Sequence, residues 1–342
     1  MAELAQPIMR ISSICHEFKG HQDSILTVAV FPDRRRMVTS SYDKTLLLWD
    51  LKDGVLLKKM EGHSGKVWGL AVSRDGQLIA SGDENGELIA WRGGTGESLT
   101  QTIKVHSQWI TSLDFSPDGT MLATGSFDKS AELWSTKTWQ AQGNPITCTA
   151  EVGCVRFSPS GELLAIASME VQILNPRTGE CIARFKAAIE GWNRSLAWTP
   201  DGTRLLSAGS TPDPTIREWD TSTWKSIGDP WSGHSDQIDA LAVNSSGTLA
   251  ASASYDNHVR LWCLSCRQTI ALFKASEQMF AVTFSMDGKY ILCGGSDATI
   301  TQWAVPKTLL EGITREQASL VSFIYFQHRH ELISRNEPLS KG

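Results

Sequence analysis

Tryptophan recurs at a nearly constant spacing along this chain, and this repeat restricts the possible folds more than any other feature. A short apolar phrase such as Leu47-Leu48-Trp49 ends at each of Trp49, Trp91, Trp134, Trp219, Trp262 and Trp303, and at Leu174 in the gap between the third and fourth tryptophans. The steps between these positions run from 40 to 45 residues. Such a period indicates seven tandem copies of one small unit, whereas length alone would suggest two or three domains for 342 residues.

Each copy is predicted to contain four short antiparallel strands. An alternating run such as Val67–Val72 has the period of a strand, and a turn such as Pro117-Asp118-Gly119 follows it. A strand of small residues, a tight turn with an Asp, the strand that ends in Trp and a fourth strand complete the unit. No stretch within 20–303 has the apolar spacing of a long amphipathic helix. The repeat therefore predicts an all-β fold, a seven-bladed β-propeller with four-stranded antiparallel blades.

The ends of the chain depart from the repeat. Residues 1–303 are assigned to the propeller, within which 1–18 carries a strand at Ile8–Phe18 that has no unit of its own. The last unit lacks a fourth strand, so we expect this N-terminal strand to pair with it and close the ring.

Residues 304–342 form a predicted C-terminal extension, a short helix followed by disorder over Arg335–Gly342. Its apolar residues recur at roughly helical spacing, at Leu309, Leu310, Ile313, Leu320, Val321 and Ile324. A helix packed on the propeller, a helix that binds a partner and a remnant of a longer protein remain open as interpretations.

A Gly-His pair opens several units, as at Gly20-His21, and Trp-Asp ends some of them, as at Trp49-Asp50. This frame at this period resembles the WD-repeat family over nearly the whole chain. The phrase T-x-x-W-x-x-x-G-x-P around Trp139 and Trp224 is similar to the WD-repeat arrays found behind NACHT-type nucleotide-binding modules in large signalling proteins.

The resemblance implies a buried hydrogen-bond network in each well-formed blade, linking the opening His, a Ser or Thr, a turn Asp and the terminal Trp. The second unit has Asn85 at the Asp position, and the units ending at Leu174, Trp219 and Trp303 have no opening His. A hydroxyl, a His and an Asp could suggest a hydrolytic triad, but their repetition beside a Trp favours a structural role. The implied networks are His21, Thr39, Asp43 and Trp49; His63, Ser81, Asn85 and Trp91; His106, Thr124, Asp128 and Trp134; His234, Ser252, Asp256 and Trp262.

The resemblance also implies a platform for partners on the narrow face of the propeller, built from three positions per blade. Seven aromatic residues at these positions are expected to form an exposed ring with a polar rim, which is typical of a binding site. Packing of Trp68 and Trp109 between blades is the alternative interpretation. The candidates are Tyr42, Lys66, Trp68, Glu84, Trp109, Phe127, Trp192, Arg194, Asp239, Tyr255 and Phe280.

Composition and motifs predict a protein without chemistry of its own. The sequence contains no phosphate-binding loop, no H-E-x-x-H and no G-x-S-x-G, so we expect no enzyme activity, no cofactor and no metal. A net charge of -5 argues against a dominant electrostatic grip on nucleic acid. Apolar runs fall far short of the ~20 residues that span a bilayer, and the start lacks the pattern of a signal peptide. Seven scattered cysteines indicate reduced thiols, and the Cys263/Cys266 pair lacks the second half of a metal site.

We therefore expect a non-catalytic scaffold that binds proteins or peptides, monomeric by itself and intracellular, in the cytoplasm rather than the nucleus. A substrate-recognition or sensor subunit of a multiprotein enzyme complex, of the ubiquitin-ligase or chromatin-modifying type, stays open as the alternative.

Overall fold

The computed structural model describes residues 8–187 and 191–307. The predicted C-terminal helix and the disorder predicted for Arg335–Gly342 lie outside the described residues. Within the described ranges there is no helix long and apolar enough to cross a membrane.

Residues 8–187 and 191–307 contain twenty-eight strands in seven sheets, which we number as blades in chain order. Two short strands, β1 (Met9–Ile11) and β2 (His16–Lys19), precede the first blade. The blades begin as follows. Blade 1 contains β3 (Ile25–Val30), β4 (Arg36–Ser41), β5 (Leu46–Asp50) and β6 (Leu56–Met60). Blade 2 contains β7 (Val67–Val72), β8 (Leu78–Asp83), β9 (Glu87–Arg92) and β10 (Ile103–Lys104). Blade 3 contains β11 (Ile110–Phe115), β12 (Met121–Ser126), β13 (Ser130–Ser135) and β14 (Ile146–Thr147).

The remaining four blades follow the same order. Blade 4 contains β15 (Cys154–Phe157), β16 (Leu164–Ala167), β17 (Val171–Leu174) and β18 (Cys181–Phe185). Blade 5 contains β19 (Asn193–Trp198), β20 (Arg204–Gly209) and β21 (Ile216–Asp220). Blade 6 contains β22 (Ile238–Val243), β23 (Leu249–Ser254), β24 (His258–Cys263) and β25 (Gln268–Lys274). Blade 7 contains β26 (Met279–Phe284), β27 (Tyr290–Gly295) and β28 (Thr299–Ala304), to which β2 adds the outer strand.

The innermost strands form a closed ring. In chain order β3, β7, β11, β15, β19, β22 and β26 each contact the next, and β26 contacts β3 again. Successive strands within each blade pair antiparallel, with the first strand innermost. The predicted seven-bladed all-β propeller is confirmed.

The N-terminal segment differs from the single strand expected at Ile8–Phe18. Only β2 closes the ring, with Phe18 opposite Ile300 in an antiparallel pair. The preceding β1 runs parallel to β25 and gives blade 6 a fifth strand, with Met9 opposite Ala271. One strand cannot pair with two blades, so the segment divides into two strands that join the outer edges of neighbouring sheets.

In the part of the chain that the structure describes, blade 5 has no continuous fourth strand. Two isolated bridges, Trp219 to Ser226 and Ile216 to Trp231, stand in its place. Pro230 lies between them, and proline has no N–H to donate to a strand ladder.

The core lies between the blades rather than at the centre of the ring. The terminal Trp of one blade packs against the sheet before it, as Trp91 does in a cluster with Phe31, Leu48 and Met60. At the contact between blades 2 and 3 the approach is close enough to require glycine, since a Cβ on Gly82 would lie 2.5 Å from Ile110. Each blade therefore buries its apolar faces only with the help of both neighbours.

Candidate functional site

The hydrogen-bond network in blade 1 joins four side chains through one hydroxyl. Thr39 Oγ1 lies 2.8 Å from His21 Nε2 and accepts from Trp49 Nε1 at 3.0 Å, and His21 Nδ1 lies 2.8 Å from Asp43 Oδ2. Burial alone would raise the pKa of Asp43, but hydrogen bonds from His21, Thr45 and a backbone N–H outweigh it and hold that pKa below its usual range. Thr39 is fully buried, so its hydroxyl cannot attack a dissolved substrate.

Blades 3 and 6 repeat this geometry. The blade 3 hydroxyl lies 2.7 Å from His106 Nε2 and 3.2 Å from Trp134 Nε1, and the corresponding distances in blade 6 are 2.7 and 2.8 Å. Asp128 Oδ2 lies 3.1 Å from His106 Nδ1, and Asp256 Oδ2 lies 2.8 Å from His234 Nδ1. Burial lowers the pKa of both histidines in spite of the attraction of their aspartates, so both rings are neutral near pH 7. The hydroxyls belong to Thr124 and Ser252.

Blade 2 departs from the predicted set. Asn85 does not contact His63: its Nδ2 donates to Ser64 Oγ at 2.8 Å on the surface. The carboxylate beside His63 Nδ1 belongs to the fully buried Asp83, at 3.3 Å. Asp83 lies two residues before Asn85, at the end of β8, and the strands equivalent to β8 in blades 1 and 3 end in serine. Ser81 keeps its place, 2.7 Å from His63 Nε2 and 2.8 Å from Trp91 Nε1.

The three blades without an opening His lack the complete network. In blade 5, Trp219 Nε1 donates to Ser207 Oγ at 2.9 Å. In blade 7, Cys293 takes the position of the hydroxyl, and the buried Trp303 Nε1 has no acceptor among the described residues.

On one face of the propeller, five of the predicted aromatic residues form a continuous arc. Trp68 and Trp109 stack with ring centroids 4.9 Å apart and planes 17° apart. Tyr42 lies 5.2 Å from Trp68, and Phe127 lies 5.3 Å from Trp109 and 5.4 Å from Trp192. Trp192, which directly precedes β19 of blade 5, meets Phe127 of blade 3 edge to face.

The other two predicted aromatics stand apart, so the seven residues form an arc and a pair rather than an unbroken ring. Tyr255 and Phe280 pack at 5.2 Å. Of the seven aromatics, only Trp109 is exposed, at 38% of its surface, and the other six are half-buried. The expected exposure is thus reduced because the rings cover one another.

Arg194 and Asp239 lie between the arc and the pair. Arg194 Nε is 3.1 Å from Asp239 Oδ1, which also accepts from Gln237 Nε2 at 2.6 Å. Burial, followed by the charge of Asp239, raises the pKa of Tyr42 and of Tyr255 to about 12, so both phenols stay protonated.

The remaining two candidates support the arc at its edge. Lys66 Nζ lies 4.2 Å from the centre of the Tyr42 ring, a cation–π contact. Glu84 Oε1 accepts from the Lys66 backbone N–H at 3.1 Å, which anchors the turn that carries this lysine.

A cavity of about 320 Å³ continues from this face into the central channel. Trp68, Trp109, Trp192, Arg194 and Asp239 line it together with Arg156, which the sequence analysis did not single out. A signal was available: the fifth residue of the aligned inner strands is Ala in four blades and Thr in one, but Asp114 in blade 3 and Arg156 in blade 4. Among the described residues there is no group of three or more His, Cys, Asp and Glu placed to hold a metal ion.

Comparison with known proteins agrees with this architecture. The family model for "WD domain, G-beta repeat" (WD40) matches residues 12–50, 54–92, 97–135, 179–220, 225–263 and 266–304. The unmatched interval contains most of blade 4, where Leu174 replaces the terminal Trp.

Several curated proteins are similar to the chain. It is 24% identical to "Periodic tryptophan protein 2" of Arabidopsis thaliana over 87% of this chain and 35% of that protein. It is 25% identical to "Guanine nucleotide-binding protein subunit beta" of Oryza sativa subsp. japonica, over 75% of this chain and 60% of the relative. It is 31% identical to human "Apoptotic protease-activating factor 1" over 42% of this chain and 12% of the relative. The chain thus spans between about a third and three fifths of the first two relatives.

The repeats matched by the family model cover more than half of the chain, and the fold supplies a seventh copy that the model does not match. The chain belongs to the WD40 repeat family.

Proposed function

We propose that this protein is a non-catalytic interaction scaffold that binds peptides, or extended segments of protein partners, on the narrow face. The observation that carries the proposal is the aromatic arc from Tyr42 to Trp192 at the mouth of the channel cavity. Side chains of Trp, Tyr and Arg contribute most to binding at protein interfaces, and here they meet at one opening.

The arrangement suits an extended segment better than a flat surface. The cavity lies at the lower end of the range for small-ligand pockets, about 300–1,000 Å³, so it accommodates a few side chains rather than a domain. The stacked indoles of Trp68 and Trp109 present a rigid apolar surface that loses little conformational entropy when a partner binds.

The family supports the same class of function. WD40 propellers typically mediate protein–protein interactions, and one relative is by name a "subunit" and another a "Transcriptional corepressor". The relatives also include a "Pre-mRNA-processing factor", so they give no preference for the cytoplasm over the nucleus.

A random peptide library displayed on phage, selected against the full chain, tests the proposal. The site variant combines Trp68→Ala, Trp109→Ala and Trp192→Ala. The matched control removes apolar surface exposed elsewhere, with Val55→Ser, Leu57→Ser and Ile182→Ser. Circular dichroism and thermal unfolding verify that both variants fold.

We expect selected peptides to bind the wild type and the control alike and to bind the site variant at least about tenfold more weakly. Equal binding to a folded site variant would place the binding surface elsewhere. The absence of any selected peptide would contradict peptide binding altogether.

A further inference from the structure

Arg156 stands in the middle of the central channel. It lines the cavity below the aromatic arc. It also lines a second cavity, together with Arg74 and Trp198. Its Nη1 donates to Ser112 Oγ at 3.2 Å and to the carbonyl oxygens of Leu113 and Val155 at 3.3 and 2.8 Å. Nη2 and Nε have no acceptor among the described residues, which leaves one edge of the guanidinium unused.

The positive charge of Arg156 has no ion pair in the described part of the chain. Asp114 of blade 3 attracts it, but the carboxylate oxygen of Asp114 instead accepts from the Phe157 backbone N–H at 2.7 Å. Arg194, higher in the cavity, is already paired with Asp239. The charged lining of the narrow-face cavity is therefore two arginines against one aspartate, in a chain whose net charge is -5.

A second donor in the same lining is also unused. Trp68 Nε1 is buried and has no acceptor among the described residues, although the ring of Trp68 belongs to the arc. A buried donor without an acceptor costs free energy that an incoming acceptor recovers. Arg156 and Trp68 both line this cavity beneath an apolar mouth, and each carries a donor without an acceptor among the described residues.

We propose that the channel of this protein takes a carboxylate from the bound peptide, either an Asp or Glu side chain or the C-terminal carboxylate, and pairs it with Arg156. This inference rests on the proposed peptide binding and specifies the chemistry of the ligand. The aromatic arc holds the apolar residues next to the acid, while the guanidinium offers parallel donors that match a carboxylate in shape and charge. An amide in the same position brings no charge, and its NH2 group opposes the N–H groups of the arginine.

The peptides selected in the library experiment allow a double-mutant cycle on the full chain. Each acidic residue of a peptide is changed in turn to its amide, and the C-terminus is amidated separately. Affinities of the parent and changed peptides are measured for the wild type, for Arg156→Met and for Arg156→Lys. Inorganic phosphate is titrated as a competitor in each case, because a free anion offers the same charge as a peptide carboxylate.

We expect one acid-to-amide change to weaken binding to the wild type at least about tenfold and to have little effect on binding to Arg156→Met. Arg156→Lys keeps the charge and should retain part of the discrimination, and it replaces Arg156→Met if that variant does not fold. The Arg156 Nε–H resonance, assigned from its loss in Arg156→Lys, should shift on binding the parent peptide and not its amide.

Peptides that depend on Trp68, Trp109 and Trp192 but show no acid-to-amide difference would overturn this inference and leave the proposed function intact. The same amide effect in wild type and Arg156→Met would also overturn it. A further outcome is that phosphate competes only when Arg156 is present, while no acid-to-amide change alters binding. This outcome would assign the pocket to a dissolved anion instead of the peptide. Failure to select peptides would overturn the proposed function itself.

Discussion

At the scale of single residues, one buried hydroxyl holds each well-formed blade together. Thr39 accepts from the indole of Trp49 and bonds the ring of His21, which in turn bonds Asp43. The hydroxyl can satisfy both neighbours only because it donates to one and accepts from the other. Loss of this hydroxyl therefore leaves the Trp49 N–H and the His21 Nε2 without the partner they have in the fold.

Thr39→Val should lower the free energy of unfolding by about 1–3 kcal/mol, because valine has the same shape but leaves the Trp49 N–H and the His21 nitrogen without a partner. Urea denaturation of wild type and variant measures the difference. Thr39→Ser is the control, since it keeps the hydroxyl and removes one methyl group. A loss as large in Thr39→Ser as in Thr39→Val would show that packing, not the hydrogen bonds, accounts for the effect.

Protonation of the buried histidines should make the fold sensitive to mild acid. The pKa values of His106 and His234 are lowered by burial, so below about pH 6.5 the unfolded chain binds protons that the folded chain does not. Stability is therefore complete above that pH and falls as the pH decreases towards the folded pKa values. The depressed pKa values of Asp43, Asp128 and Asp256 add a further loss below about pH 4.

Urea denaturation at neutral pH and at about pH 5.5 tests this expectation against a variant carrying His106→Gln and His234→Gln. The variant should be less stable at both pH values but should lose less stability between them. Wild-type stability that stays constant or rises towards pH 5.5 would mean that the aspartates keep these histidines charged in the fold.

At the scale of strands and blades, the ring depends on β2. Phe18 is almost completely buried and packs against Trp49 of blade 1 at 5.8 Å, so this strand joins the last blade to the first. By contrast β1 contributes three half-buried or exposed residues to the outside of blade 6.

Truncation separates the two strands. A chain lacking residues 1–12 should remain monomeric with a small loss of stability, whereas a chain lacking residues 1–18 should unfold or oligomerise because blade 7 loses its outer strand and the ring loses Phe18. Size-exclusion chromatography with light scattering and thermal unfolding compare the two. A monomeric 19–342 chain with an unchanged melting temperature would contradict the assignment of closure to β2.

Elements governed by periodicity were predictable, and departures from the repeat were not. The turns and the Trp-ending strands follow from local spacing, which each copy of the unit repeats. The sequence prediction placed the partner of His63 at Asn85, because alignment of the repeats puts an acid at that position in the other three networks. The fold offers a second position for the acid, since Asp83 at the end of β8 also reaches the buried His63. The role of Trp231, packed 5.8 Å from Trp262 where blade 5 has no fourth strand, depends on the neighbouring blade, which local spacing does not specify.

The site was predictable in position and less so in form. Its aromatic positions follow from counting within each unit, but whether rings stand exposed or stack on one another depends on distances across the channel. Arg156 was passed over because it takes the fifth position of the aligned inner strands, whereas the counted position in these strands is the second, as at Trp68 and Arg194.

At the scale of the whole molecule, the seams between blades differ in how they are held. In the described residues, blade 5 has neither an opening His nor a continuous fourth strand. The contact between blades 5 and 6, which we call their seam, is therefore stabilised by other interactions. Glu218 provides it: its carboxylate is buried and bonds Arg204 of its own blade and Arg267 of blade 6, the latter at 2.8 Å. One carboxylate thus joins two sheets.

Glu218→Gln should therefore lower the free energy of unfolding by about 1.5–3 kcal/mol, because glutamine keeps the volume but removes the charge that both arginines contact. The matched control is Glu61→Gln, which neutralises an exposed pair with Lys59 and should leave the stability nearly unchanged. Denaturation at low and high salt distinguishes the sites, since a buried pair is screened much less than an exposed one. If the two variants lose the same stability, or if salt removes the effect at Glu218, this carboxylate does not hold the seam.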